Sequence, residues 1–174
     1  VLEQLLEGDY QSLDVLLQRA ASLDLPLSVP RQVALLRLQN SEQLFDGEAA
    51  ASGERLLRDN RQCLQQRLEQ CLQQLGDALP LISQGEHWIA LLPCTGSQDE
   101  QRNRKTLMDL LGELDERLQP QRLFLGLSSG NHHPEHFARA LGQARQALVA
   151  AQAFPERLGL CSFNELGVIE LLAA

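Results

Sequence analysis

The sequence predicts a mixed α/β (α+β) domain in which a sheet containing antiparallel pairs carries packed helices, preceded by two N-terminal helices. Short apolar runs closed by turn residues, such as Val33–Leu38, have strand length. Longer segments repeat leucine at helical spacing and end at Gly or Pro. The two kinds of segment alternate along 174 residues, which suffices for one domain of ordinary size.

Leu2, Leu5 and Leu6, and then Leu13, Leu16, Leu17 and Ala20, form two helical stripes separated by Gly8-Asp9. Leu23-Asp24-Leu25-Pro26 closes the second, because Pro26 biases the residue before it away from helix. Val33–Leu38 predicts a buried strand, and the polar segment 40–53 a loop. From Glu54 to Leu75 a stripe of Leu57, Leu64, Leu68, Cys71 and Leu75 predicts a helix that Gly76 stops. Leu79–Ser83 and Trp88–Leu92 read as a hairpin joined by Gln84-Gly85-Glu86-His87. A helix over about 100–118 buries Leu107, Leu111, Leu114 and Leu118, and Arg122–Ser128 is a further strand. After Ser129-Gly130-Asn131, a helix with Pro134 near its first position presents Phe137, Leu141, Ala144, Leu148 and Ala151. A strand at Leu160–Phe163 and a helix capped by Asn164 and running through Leu172 complete the chain. The inner order β-α-β-β-α-β is the split, ferredoxin-like arrangement, with helices expected on one face of the sheet. Its first and third strands are antiparallel neighbours, so Gln39 is expected beside the turn at Gln84–His87.

The net charge of −8 disfavours nucleic-acid contact by this segment, since a duplex needs a basic surface to replace its counterions. The densest basic patch, Arg102-Asn103-Arg104-Lys105, follows Asp99-Glu100 and reads as a solvated helix start. No apolar run reaches the roughly 18 residues of a membrane span, and the first residues lack a signal peptide's basic start. Cys63, Cys71, Cys94 and Cys161 are not closely paired and read as buried small residues of a reducing cytoplasm, with Cys94 expected exposed at a strand end. No membrane partner is expected.

The hairpin ending Trp88-Ile89-Ala90-Leu91-Leu92-Pro93 resembles the signature hairpin of GGDEF diguanylate cyclases, with Gln84-Gly85-Glu86-His87-Trp88 at the signature positions. The wider pattern is similar to the GGDEF-like domain of sugar diacid and purine catabolism regulators of the CdaR and PucR type. It comprises Leu23-Asp24-Leu25 before Pro30-Arg31-Gln32-Val33-Ala34, Leu125-Gly126-Leu127-Ser128 before an Ala-rich helix, and Phe163-Asn164-Glu165-Leu166-Gly167-Val168-Ile169. The resemblance implies a piece of a bacterial transcription regulator: a helical connector at 1–25, a degenerate GGDEF-like domain at 26–174, and a helix-turn-helix after 174 that makes any DNA contact.

By the same resemblance, cyclisation needs two metal ions held by carboxylates at the end of the first strand and in the hairpin turn. Leu36-Arg37-Leu38-Gln39-Asn40-Ser41 supplies no acid, and an arginine repels magnesium. Glu86 remains in the turn, while His87 and Gln84 replace signature residues, and the glycine-poor turn is expected to fill space that a nucleotide would occupy. The chain is therefore expected not to be an enzyme and to hold no cofactor or metal. A metabolite or nucleotide effector would use a cleft at Gln39, Gln84, Gly85, Glu86 and His87.

Two other clusters invite chemistry. His132-His133-Pro134-Glu135-His136 contains zinc-ligand types, yet its spacing matches no zinc pattern, so a solvated helix entry is the expectation. Ser128-Ser129-Gly130-Asn131 lacks the phosphate-loop pattern and reads as a turn. The predicted role is a regulatory, homodimerising module that relays a signal from a sensing domain to a DNA-binding domain, with metabolite sensing as the alternative. The N-terminal stripes need a partner, since short helices are not stable alone.

Overall fold

The computed structural model describes residues 1–23, 27, 29–40, 50–76, 79–154 and 159–166. Helices α1 (Leu2–Glu7) and α2 (Leu13–Ser22) precede strand β1 (Arg31–Gln39) and the long helix α3 (Ala50–Leu75). The hairpin β2 (Leu81–Gln84) and β3 (His87–Pro93) leads to α4 (Ser97–Leu114) and β4 (Arg122–Leu127). A 3₁₀ turn at Pro134–His136 opens α5 (Phe137–Ala153), and β5 (Leu160–Ser162) is followed by a 3₁₀ turn at Phe163–Glu165. The sheet order is β2-β3-β1-β4-β5, antiparallel except for the β4–β5 pair. Its first four strands are the split arrangement that the sequence predicts.

Because side chains alternate across a strand, β1 divides its residues between two cores. Ala34, Leu36 and Leu38 join Trp88, Ala90, Leu92, Leu123, Leu125 and Leu127 beneath α3 and α4. Val33 and Leu35 join Ile89, Leu91 and Phe124 beneath α5. The two helices of the inner unit, α3 and α4, share one face as the split arrangement predicts, and α5 with the N-terminal helices covers the other. The N-terminal stripes find their partner in this second core: Leu5, Leu6, Leu16 and Ala20 are buried in it with Phe137, Leu141 and Ala144 of α5. Apolar burial at about 25 cal/mol per Å² outweighs the weak tendency of such short helices to form alone.

Other boundaries shift for local reasons. The segment read as a loop over 40–53 contains the start of α3 at Ala50, where Ala-rich sequence suits a helix. Helix α4 begins at Ser97, where Asp99 in its first turn accepts hydrogen bonds from the Thr95 amide (2.9 Å) and hydroxyl (2.8 Å). Those bonds lower the Asp99 pKa. The basic patch consequently lies inside a helix: Asn103 is wholly buried and donates to Gln32 Oε1 (3.1 Å) and the Pro93 carbonyl (3.2 Å). Ser162, rather than Asn164, stands at the N-cap of the final 3₁₀ turn. The predicted helix through Leu172 extends outside the described residues, as do Asp24 and Leu25. Cys94 is fully buried, contrary to its expected exposure, and burial raises its pKa.

Gly126 is the tightest contact between sheet and helix. A Cβ at this position would collide with the Ala144 carbonyl and the Leu148 amide of α5, both backbone atoms that cannot swing aside. Gly126→Ala is expected to lower unfolding free energy by at least ~2 kcal/mol. Gly142→Ala, on α5 where an added Cβ meets open space, is expected to raise it by about 0.5–1 kcal/mol through helix propensity. Urea midpoints of the two variants should move in opposite directions.

Candidate functional site

The β1–β3 pairing sets Arg37 opposite His87 and Leu36 opposite Trp88. The Leu38 amide donates to the Glu86 carbonyl (3.0 Å), which ties the hairpin turn to the end of β1. On the α3 side of this junction lies a cleft of about 260 Å³ lined by Leu38, Asn40, Leu57, Arg58, Arg61, Glu86, Trp88 and Gln121.

Each wall has an identifiable support. The buried Trp88 indole donates to Gln65 Oε1 (2.7 Å), and the Arg61 guanidinium sits 5.3 Å from the centre of its ring. Arg61 also donates to Ser83 Oγ (3.1 Å), across the cleft on β2. Such a cation–π contact is worth about 0.5–1 kcal/mol when exposed, and it fixes where the guanidinium lies. The floor is a chain of amides linking α3, the segment before β4 and the end of β1. Asn60 donates to the Leu118 carbonyl (2.8 Å) and to Gln121 Oε1 (2.9 Å), and Gln121 Nε2 donates to Asn40 Oδ1 (2.7 Å). Asn60 and Gln121 are only 5% and 3% exposed, so unmade bonds there would carry the full desolvation cost.

Strand parity separates the residues that the sequence brought together. Of Gln39, Gln84, Gly85, Glu86 and His87, only Glu86 lines the cleft. Gln39 meets Gln152 of α5 (3.5 Å), on the opposite face of the sheet. His87 pairs with Gln84, and its neighbours Arg37 and Arg145 lie towards α5. Gly85 occupies the turn at φ 58°, where an added Cβ would meet open space. Asn40, Arg58, Arg61 and Gln121 escaped the sequence reading. A one-residue shift from Gln39 to Asn40 was available from the alternation of β1, whereas the arginines look like the solvated face of a helix.

Among the described residues, the charge balance of the cleft lining is positive. Arg58 and Arg61 face one carboxylate, Glu86, which also meets Arg37 at 3.4 Å in an exposed pair. This lining offers a single carboxylate among the described residues. Among the described residues no three His, Cys, Asp or Glu side chains gather closely enough to hold an ion. The histidine cluster is spread accordingly. His132 pairs its backbone with Arg31 and its Nε2 with Ser129 Oγ (2.9 Å), His133 stands at the N-cap position of the 3₁₀ turn without a side-chain capping bond, and His136 lies beside Glu135 (3.6 Å).

The GGDEF-like domain family matches residues 7–150, and the chain belongs to that family. None of the curated proteins compared with it matches. Among solved structures, it is similar to the active GGEEF domain of a Vibrio cholerae diguanylate cyclase, at 19% identity and TM-score 0.54 over 91% of this chain and 94% of that one. The c-di-GMP-bound S helix-GGDEF-EAL structure of Vibrio cholerae LapD is similar at 16% identity and TM-score 0.52, over 92% of this chain and 38% of that one. The Pseudomonas aeruginosa diguanylate cyclase SiaD, in complex with its activator SiaC, gives 19% identity and TM-score 0.53 over 86% and 57%. These likenesses establish the fold.

They also correct the expectation that the chain is not an enzyme: the same fold is found in an active cyclase domain, so it offers no ground for that exclusion. The exclusion rested on the hairpin turn, where Glu86 alone remains, and on the end of β1, where acids were counted only as far as Ser41. The next residues include Glu42, Asp46 and Glu48, which lie outside the described residues. No helix among the described residues is long and apolar enough to cross a membrane.

Burial, with Arg37 adding to it, pushes the His87 pKa below its ordinary 6.5, and burial does the same at His132. The unfolded chain therefore takes up these protons at a higher pH than the folded one. Their contribution to stability is complete above pH 6.5 and is lost as pH falls through the lowered folded values. Urea midpoints measured between pH 7.5 and 5 are expected to fall, and His87→Gln combined with His132→Gln is expected to flatten that slope.

Proposed function

We propose that this GGDEF-like domain is a ligand-responsive regulatory module whose α3–hairpin cleft takes a small anionic molecule. One observation carries the reading: among the described residues, two guanidiniums against a single carboxylate line a walled cleft in a chain of net charge −8. An acidic protein repels anions at long range, so a local cationic pocket is the place where an anion is held. Phosphate and carboxylate oxygens match guanidinium donors in geometry as well as charge. Leu38, Leu57 and the Trp88 ring add apolar wall for the rest of the molecule.

The same proposal places the module in a bacterial transcription regulator of the CdaR and PucR type. The sequence pattern from Pro30 to Ala34 and around Leu125–Ser128 supports this context, and the acidic surface leaves DNA contact to another part of such a regulator. Occupancy of the cleft would be relayed through α3, which lines the site at Leu57–Arg61 and runs on to Leu75 beneath the sheet.

Thermal unfolding in the presence of GTP, cyclic di-GMP, sugar diacids and neutral purine bases tests the reading. A ligand at a hundredfold excess over its Kd should stabilise the fold by about 2.7 kcal/mol. At least one anion is expected to raise Tm while the neutral bases do not. Arg58→Gln and Arg61→Gln are each expected to weaken that anion's binding about tenfold or more. An anion response unchanged in the double variant would place binding elsewhere.

A further inference from the structure

The geometry points to a fixed polarity for the cleft floor: Asn40 presents its Nδ2 donor to the ligand, and buried Asn60 is the positioning residue that sets this orientation. The inference rests on the anion-binding reading of the cleft and specifies what the ligand must offer there.

A carboxamide can usually be turned over, exchanging its donor and acceptor ends, so its orientation must be argued from its partners. Here the chain of amides is anchored by a group that cannot be turned. The Leu118 carbonyl can only accept, and Asn60 lies 2.8 Å from it, so the atom facing it is Nδ2. The same Nδ2 reaches the Gln121 side chain at 2.9 Å, which must therefore present Oε1. Gln121 is left with Nε2 for Asn40, 2.7 Å away, and Asn40 must accept through Oδ1. Each step follows from the one before it. Reversing any one amide sets two donors or two acceptors against each other at a floor where Asn60 and Gln121 are almost completely buried.

The consequence appears at the exposed end. Asn40 lines the cleft, its Oδ1 is engaged, and among the described residues its Nδ2 has no protein partner. With Arg58 and Arg61 it forms a set of donors only, opposed among the described residues by Glu86 as the one charged acceptor. The ligand class that fits is an anion carrying acceptor oxygens towards Asn40 and the arginines, with a hydroxyl or amino donor for Glu86. A ligand offering a donor at the Asn40 position is rejected, because the relay prevents the amide from turning.

Uniformly ¹⁵N-labelled protein, titrated with inorganic pyrophosphate as an acceptor-only probe, tests this. In the free protein, the side-chain NH₂ protons of Asn60 and Gln121 are expected to exchange slowly with water, and those of Asn40 quickly. Pyrophosphate is expected to shift the Asn40 NH₂ together with the Arg58 and Arg61 Nε–H signals. Asn40→Ala is expected to weaken pyrophosphate about tenfold, and Asn40→Asp further, since it keeps the acceptor for Gln121 but repels the anion. Asn60→Asp, which can only accept, is expected to reverse the relay and protect the Asn40 NH₂ from exchange, a signature that a purely structural role would not give. Protected Asn40 protons in the unmodified protein overturn the inference whether or not any variant folds. Shifts at both arginines with Asn40 silent overturn it while sparing the anion-binding reading. Silence at all three positions overturns both.

Discussion

The antiparallel register of β1 against β3 is the constraint on which the rest of the molecule depends. It sets Leu36 opposite Trp88 and Arg37 opposite His87, and strand alternation then assigns every neighbouring side chain to one face or the other. A slip of β1 by one residue would send its apolar side chains to the opposite faces and turn Arg37 towards α3. The register is held by apolar burial on both faces at once, so no single-residue slip satisfies either core. It also fixes the cleft, because Leu38, Asn40 and Trp88 reach the α3 face only in this pairing, with Glu86 in the turn beside them.

Much of the fold was legible in the sequence because burial leaves periodic marks. The stripes of α3, α4 and α5 and the short runs of β1, β3 and β4 are each amphipathic or apolar at the period of their element. Less legible was which face a helix covers. The sequence of α5 announces an apolar stripe but not that Gly126 has been left bare to receive it, a fact that emerges only when the Ala144 carbonyl lies against β4. The start of α3 at Ala50 was hidden for a related reason: small residues near a helix entry look like a loop until the rest of the helix is counted.

The site was half legible. Topology alone placed the end of β1 beside the hairpin turn, and of the residues named there Glu86 lines the cleft. Gln39 does not, because its side chain alternates to the α5 face, where it meets Gln152. Arg58 and Arg61 carry no mark of function in sequence, since polar residues on the outer face of a long helix are usually solvated. They come to line the cleft through the hairpin packed against them, with the Trp88 ring beneath Arg61 and Gln121 joined to Asn40. The exclusion of catalysis failed for a different reason. It counted acids in the hairpin turn and in one short window at the end of β1, whereas a fold shared with an active cyclase domain makes the residues beyond that window part of the question.

The central claim is that anion recognition belongs to the α3 face of the β1–β3 junction and not to the α5 face, where Arg37 and Arg145 lie near His87. A crystal structure of the protein grown with the anion that gives the largest thermal response addresses it most directly. The account predicts ligand density against the Arg58 and Arg61 guanidiniums, over the Asn40 side chain. Density among Arg37, Arg145 and His87 instead, with the α3 cleft holding only water, would contradict it.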